Sequence, residues 1–379
     1  MPKSPTQRIY GSSSFPDAAL NGKVLISIAA KFLAAGCFVS CLLIGCGGGS
    51  GDGSDGAASG NPGGGGLGLP GSSISTAALF TQPHAWTRDV STLAASTRST
   101  AIIGALNTLG GWGAGSMRID FSIALLFADS STPRRTITAS SGYYTPDGDT
   151  VPLQMPIPTN GNTEGSSNYA CNTASDDCHV LVVEMSSKKL YELYNATQAG
   201  SAFTALGAFV WDLTKQYPDS LRGDQCTSAD AAGLPMAALL ATSDEVAGGE
   251  IPHALRFILP NARMKQQVYV RPATHAGGPS SSNADAPPYG VRFRLKASFD
   301  DTPFNAGERV VLHAMKKYGM ILSDGGNIAL TFADDRLSTN KWAALGIDTF
   351  SFTSVAVGDF EVVDLGTEIP LTFNCVRNP

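Results

Sequence analysis

The chain has 379 residues, a net charge of −6 and a charged fraction of 15%, a balance that argues against nucleic acid as a partner, since phosphate neutralisation needs a basic face. Residues 1–45 carry Lys3, Arg8, Lys23 and Lys31 against Asp17, so the remainder is more acidic still, near −9. After them no apolar run reaches the length of a membrane span.

The first element in chain order is a targeting segment. Lys23 and Lys31 precede Phe32 to Ile44, an apolar run of signal-peptide length and too short for a permanent membrane helix. It closes on Leu43-Ile44-Gly45-Cys46, which resembles the lipobox of bacterial lipoproteins, where the cysteine becomes the mature N-terminus and carries the lipid. The resemblance implies cleavage before Cys46, acylation of that thiol, and an exported protein anchored at the cell envelope, with the outer membrane the expected location. Several acyl chains together hold a protein firmly where one binds only marginally. The alternative is an ordinary signal peptide without lipid. The stretch ahead of Lys23 is long and polar for a leader, which leaves Val24 or Leu25 as alternative starts.

Residues 46–75 form the next segment. From Gly47 to Ser75 the composition is almost wholly Gly, Ser, Asp, Ala, Asn and Pro, which cannot bury enough apolar surface to offset chain entropy and reads as a disordered tether. As a flexible coil its root-mean-square reach is about 30 Å. The composition then turns globular, and residues 76–379 read as one β-rich domain.

Within that domain a helix is expected over Ser99 to Leu109, stopping at Gly110-Gly111. Ile119, Phe121, Ile123, Leu125 and Phe127 alternate with smaller or polar residues, the pattern of one strand with one buried face. His179 to Met185 is a more continuous apolar run suited to a central strand. Lys189 to Tyr194, Ala208 to Leu213, Ala254 to Leu259, Gln267 to Val270, Val291 to Leu295, Ile328 to Phe332 and Phe360 to Val363 follow as strands. A short helix capped by Ser243 begins at Asp244 and Glu245, and a longer one runs from Ala306 or Gly307 to Tyr318, with Gly319 placed to end it. Strands this numerous, without regular strand-helix alternation, predict a mainly β fold, a β-sandwich or jelly-roll-like domain with a few short helices.

With Cys37 and Cys41 in the leader and Cys46 lipidated, Cys171, Cys178, Cys226 and Cys375 remain. An even number in an oxidising compartment predicts two disulfides. Four cysteines allow three pairings; the polar loop between Cys171 and Cys178 is short enough to close as a turn, which favours that pair and leaves Cys226 with Cys375, tying the C-terminus to the domain centre. A four-cysteine metal site lacks the paired spacings of structural zinc, and no metal or cofactor is expected.

Leu190-Tyr191-Glu192-Leu193-Tyr194, Cys226 to Pro235, Gly249 to Phe257, Pro272-Ala273-Thr274-His275 and Lys317-Tyr318-Gly319-Met320 resemble blocks in a broad family of secreted bacterial proteins of unassigned activity. The resemblance spans Ile119 to Val376 and implies export without implying a reaction.

Candidate site residues come from the chemistry of the side chains. Glycosidic cleavage generally uses a carboxylate pair, one member with a raised pKa. Glu192 shares a strand face with Leu190 and Tyr194, Asp212 follows Trp211 at a strand end, and Asp230 lies in Thr227-Ser228-Ala229-Asp230. These are the candidate acid, base or nucleophile. Trp211 is a candidate sugar platform, and Tyr194, Arg256 and Asp324 are the other candidate substrate contacts. His253 and His275 are candidate general bases or nitrogen donors, each with a bland alternative as a core or loop histidine. No Gly-x-Ser-x-Gly elbow or phosphate-cradling loop is present. The expectation is a surface lipoprotein that binds, or binds and hydrolyses, an extracellular polysaccharide. The alternatives are a non-catalytic lectin-like or scaffold lipoprotein, and a metal-dependent hydrolase or peptidase using His253 and His275.

Overall fold

A computed structural model describes residues 79–378. The expected leader, Cys46 and the tether all lie outside the described residues.

The organising element is a four-stranded sheet buried on both faces. Leu125–Ala128, Val180–Glu184, Lys189–Tyr194 and Gly207–Asp212 lie side by side in that order, the first pair parallel and the others antiparallel. Leu125, Leu181, Val183, Leu190 and Trp211 join one hydrophobic core, while Leu126, Val180, Val182, Tyr191, Leu193 and Ala208 join a second. A strand covered on both sides reads as a continuous apolar run instead of an alternation, as Val180–Glu184 does, with every residue buried.

An outer four-stranded sheet closes the second core. Its strands Leu153–Pro156, Arg134–Ala139, Ala202–Ala205 and Thr197–Ala199 neighbour one another in that order and contribute Met155, Ile137, Phe203 and Ala205. The larger core lies on the other side of the middle sheet, against a six-stranded mixed sheet ordered Ile119–Ile123, Leu330–Ala333, Leu255–Leu259, Met320–Gly325, Arg292–Leu295 and Phe360–Val363. The fold is therefore mainly β with few helices.

The segment expected to be one strand over Ile119 to Phe127 is two. Ile119–Ile123 pairs in parallel with Leu330–Ala333 in the large sheet, and after Ala124 the chain enters the middle sheet beside Val180–Glu184. Among the described residues three α-helices complete the fold: α1 (Ser99–Thr108), α2 (Ser243–Gly248) and α3 (Ala306–Lys317). In α3 the Asn305 side chain accepts from the Glu308 amide and the Glu308 carboxylate answers at the Asn305 amide, two first-turn donors satisfied at once. Gly319, at φ 75°, follows its C-cap Tyr318. The cap of α2 is Thr242 and not Ser243: Thr242 forms the reciprocal pair with Glu245, while the Ser243 hydroxyl donates to the Asn340 carbonyl.

Cys171 pairs with Cys178 and Cys226 with Cys375. The second bridge sits beside a two-residue pairing of Gly223–Asp224 with Val376–Arg377, so the C-terminal segment is fastened both covalently and by backbone hydrogen bonds. No helix of the described residues is long and apolar enough to cross a membrane.

A candidate functional site between the middle and large sheets

Glu192 sits in register between Leu181 and Phe209, on the middle-sheet face that looks toward the large sheet. It is wholly buried. Its Oε2 accepts from the Trp211 indole N–H at 2.9 Å and its Oε1 from the Ala237 amide at 2.9 Å. Burial raises its carboxyl to about 7; these two donors oppose the shift and the charge of Asp230 adds to it.

Across the core, Leu255–Leu259 carries Arg256. Its guanidinium donates to Asp324 Oδ2 at 2.8 Å, to Asp230 Oδ1 at 3.3 Å and to the Thr331 hydroxyl at 2.8 Å. Asp324 and Thr331 stand on the two strands flanking Arg256 in the sheet, and Asp230 comes from the loop that covers it. Burial favours the neutral form of both acids and raises them, with the Arg256 cation as the main opposing influence. Burial also disfavours the guanidinium charge, but the two aspartates outweigh it and raise Arg256.

His179, which precedes the buried strand Val180–Glu184, extends the network. Its Nε2 lies 2.9 Å from the Ala229 carbonyl, which can only accept, and its Nδ1 lies 2.6 Å from Glu164 Oε2. Opposite an ionised Glu164 both ring nitrogens donate, which is the imidazolium form. Burial opposes that charge, yet the Glu164 carboxylate overrides it and lifts His179 to about 9. Burial likewise works against the Glu164 anion, and His179 holds it down to about 2. Ser122 bridges Glu164 to Asp120, whose carboxyl burial raises. Two cations thus pair with three of the five acids, Glu192 and Asp120 being held by neutral donors, and the network meets solvent only at its edge: the Asp324 and Glu164 side chains are 23% and 19% exposed, whereas Glu192 and Asp230 are sealed.

Five sequence candidates converge here. Glu192, Asp230, Arg256 and Asp324 share the network, and Trp211 holds Glu192. Trp211 is not the expected sugar platform, because its ring is fully buried and its N–H is committed. Arg256, equally buried, presents no donor to solvent. Tyr194 stands at the margin, half-buried, stacked on Tyr144 at 5.8 Å and 5.4 Å from the His179 ring.

Three candidates lie elsewhere. Asp212 Oδ1 caps its own turn, accepting from the Thr214 amide at 2.9 Å and hydroxyl at 2.7 Å; these bonds lower its carboxyl. His253 is completely buried; its Nδ1 donates to the Ala254 carbonyl at 2.8 Å and its Nε2 lies 3.2 Å from Glu245 of α2. His275 donates from Nδ1 to the Ala231 carbonyl at 2.9 Å, and burial lowers it. Among the described residues one trio of metal-type donors is close enough to share an ion, Asp147 with Cys226 and Cys375. Its two sulfurs are bonded to each other, so they offer no thiolate, and neither histidine belongs to it.

Sequence reasoning missed His179, Glu164, Asp120 and Thr331. The available signal was a histidine at the head of an apolar run, where a buried ring needs a partner for each nitrogen.

Compared with models of known families, with curated proteins and with solved structures, the chain finds no significant match.

Proposed function

We propose that this chain is an exported lipoprotein, anchored at the envelope through Cys46, whose β-rich domain binds an extracellular glycan without cleaving it. The observation that carries the non-catalytic half is the state of the acids. Glu192 and Asp230 have no exposed surface, and both Glu192 oxygens are taken by internal donors. A glycosidase needs two carboxyl groups flanking a bond in a cleft that the sugar can enter. The binding half is supported by the lipobox resemblance, the acidic balance that argues against nucleic acid, and two stabilising disulfides suited to an oxidising compartment.

A second reading, hydrolysis, is favoured by one observation: burial raises Glu192 to about 7 in the same network as Asp324, the kind of shift a general acid requires. One experiment separates the two. The processed protein is mixed with insoluble polysaccharides, and both retention and release of reducing ends are measured. Retention without release is expected. Release that disappears in Glu192→Gln establishes the enzyme instead, and absence of retention on every polysaccharide overturns glycan binding altogether.

A further inference from the structure

The loop that leads from Leu153–Pro156 to Val180–Glu184 gives Glu164 to the charged network and Tyr169 to the second core, and around Tyr169 it lies against the Thr197–Ala199 edge of the outer sheet. Together they enclose an open cavity of about 410 Å³, within the range of small-ligand sites. Its side chains that can bond a ligand are Thr159, Asn160, Ser167, Asn168 and Gln198, with Tyr169 beneath them, and no lining residue is charged. Most small-molecule pockets are chiefly apolar with few polar groups. This concavity is lined in about equal measure by polar and apolar surface, and its polar side chains are amides and hydroxyls with no ion to neutralise, which matches a ligand that pairs neutral hydroxyls with an apolar ring face.

The walls are built rigidly. The Tyr169 hydroxyl donates to the Pro158 carbonyl at 2.7 Å, its ring packs edge-on to Phe203 at 5.6 Å, and the Gln198 amide donates to the Tyr169 carbonyl at 2.8 Å. Gly161 is required by this packing, since a Cβ there would lie 2.0 Å from the Tyr169 hydroxyl. The Cys171–Cys178 bridge fastens the same loop, and Asn195 donates to the Thr173 and Asp176 carbonyls within it. The binding atoms, in contrast, are left available. Thr159, Asn160 and Ser167 make no side-chain hydrogen bond among the described residues, Asn168 uses its Oδ1 for the Ala170 amide and keeps its N–H₂, and Gln198 donates to the Gly200 carbonyl and keeps its oxygen.

We infer that this cavity is a subsite for an uncharged saccharide, bound through the amides of Asn160, Asn168 and Gln198. The inference rests on the glycan-binding reading above and names its location. Pre-organised walls lower the ordering cost of binding, and an uncharged lining makes affinity insensitive to salt.

The test is calorimetry of the processed protein with neutral oligosaccharides and, in parallel, uronic-acid oligomers, at low and high salt. Asn160→Ala combined with Gln198→Ala is compared with Tyr144→Ala beside the charged network. The expected result is binding of a neutral oligosaccharide that is unchanged by salt, weakened about tenfold in the double variant through loss of two hydrogen bonds, and unaffected by Tyr144→Ala. Thermal melting of the double variant should match the parent, because both side chains lie at the solvent-facing wall. Saccharide binding that survives the double variant, that is lost in Tyr144→Ala, or that is confined to uronic acids with strong salt dependence, overturns the cavity assignment and leaves glycan binding standing. No binding to any saccharide removes both.

Discussion

The charged network and the cavity solve opposite problems with polar residues. In the network, Arg256, His179 and five acids lie in or at the edge of a hydrophobic core, and each buried charge is matched by a partner at hydrogen-bond distance. In the cavity, Asn160, Asn168, Gln198 and two hydroxyls face solvent, carry no charge and keep bonding capacity free. Satisfied polar groups specify a packing; unsatisfied, exposed ones recognise something else. The difference teaches that the chain's most conspicuous charged residues are committed to one another, while the polar side chains with bonding capacity to spare are its least conspicuous ones.

The largest effect should come from Arg256. Arg256→Met leaves Asp230 buried without its cation, and breaking a buried pair by removing one partner costs about 3–5 kcal/mol. Urea melts of Arg256→Met, Asp230→Asn and the double variant should give single-variant losses of that order and a double variant recovering part of them. If Arg256→Met keeps its midpoint and loses ligand, the inner network belongs to recognition and the contrast drawn above collapses.

Glu192 sharpens the comparison through pH. Its folded carboxyl is raised to about 7 by burial, so the folded state holds a proton that the unfolded chain releases near pH 4.5. Stability from this group is therefore full below pH 4.5 and falls as pH rises to 7, by on the order of 3 kcal/mol in all. Gln at 192 removes that titration, but its N–H₂ must face one of two donors, Trp211 Nε1 or the Ala237 amide, at a cost of about 1–3 kcal/mol. Glu192→Gln should accordingly be clearly less stable than the parent at pH 4.5 and close to it, or above it, at pH 8. Denaturant midpoints across that range check the slope; parallel curves would show that Glu192 does not titrate as its burial requires.

Much of this architecture could be read before any coordinates, and the parts that could not share a cause. Helix α3 announces itself through the spacing of Val310, Val311, Ala314, Met315 and Tyr318 and through Gly319, signals that are local in sequence. Lys189–Tyr194 and Phe360–Val363 are equally plain, and of the three pairings four cysteines allow, one short polar loop favours the one the structure holds. Arg134–Ala139 escaped because only Ile137 is buried, so no periodicity marks it. The break at Ala124 escaped because Ile119 through Phe127 keeps one alternation while serving two sheets. Asp230, Arg256 and Asp324 were each legible as unusual, but their mutual pairing depends on a loop folding back across a sheet, which spacing does not encode. Glu164 and His179 were invisible as a pair for the same reason.

The smallest effect belongs to Asp212, which isolates the contrast within a single chain segment. Trp211 and Asp212 are adjacent, yet one is sealed in the core and the other sits at a strand end with its carboxylate largely in water. Its Oδ1 bonds the Thr214 amide and hydroxyl, and an asparagine oxygen can accept the same pair. Asp212→Asn should therefore shift stability by no more than about 0.5 kcal/mol at pH 7. The aspartate's pKa is depressed, so whatever advantage it holds is present above its ordinary pKa and fades as the carboxyl protonates in acid, where the two proteins should converge. Saccharide affinity should not move, since Asp212 does not line the cavity. An affinity loss in Asp212→Asn with unchanged melting would shift recognition to this strand end and return the acid next to Trp211 to a binding role.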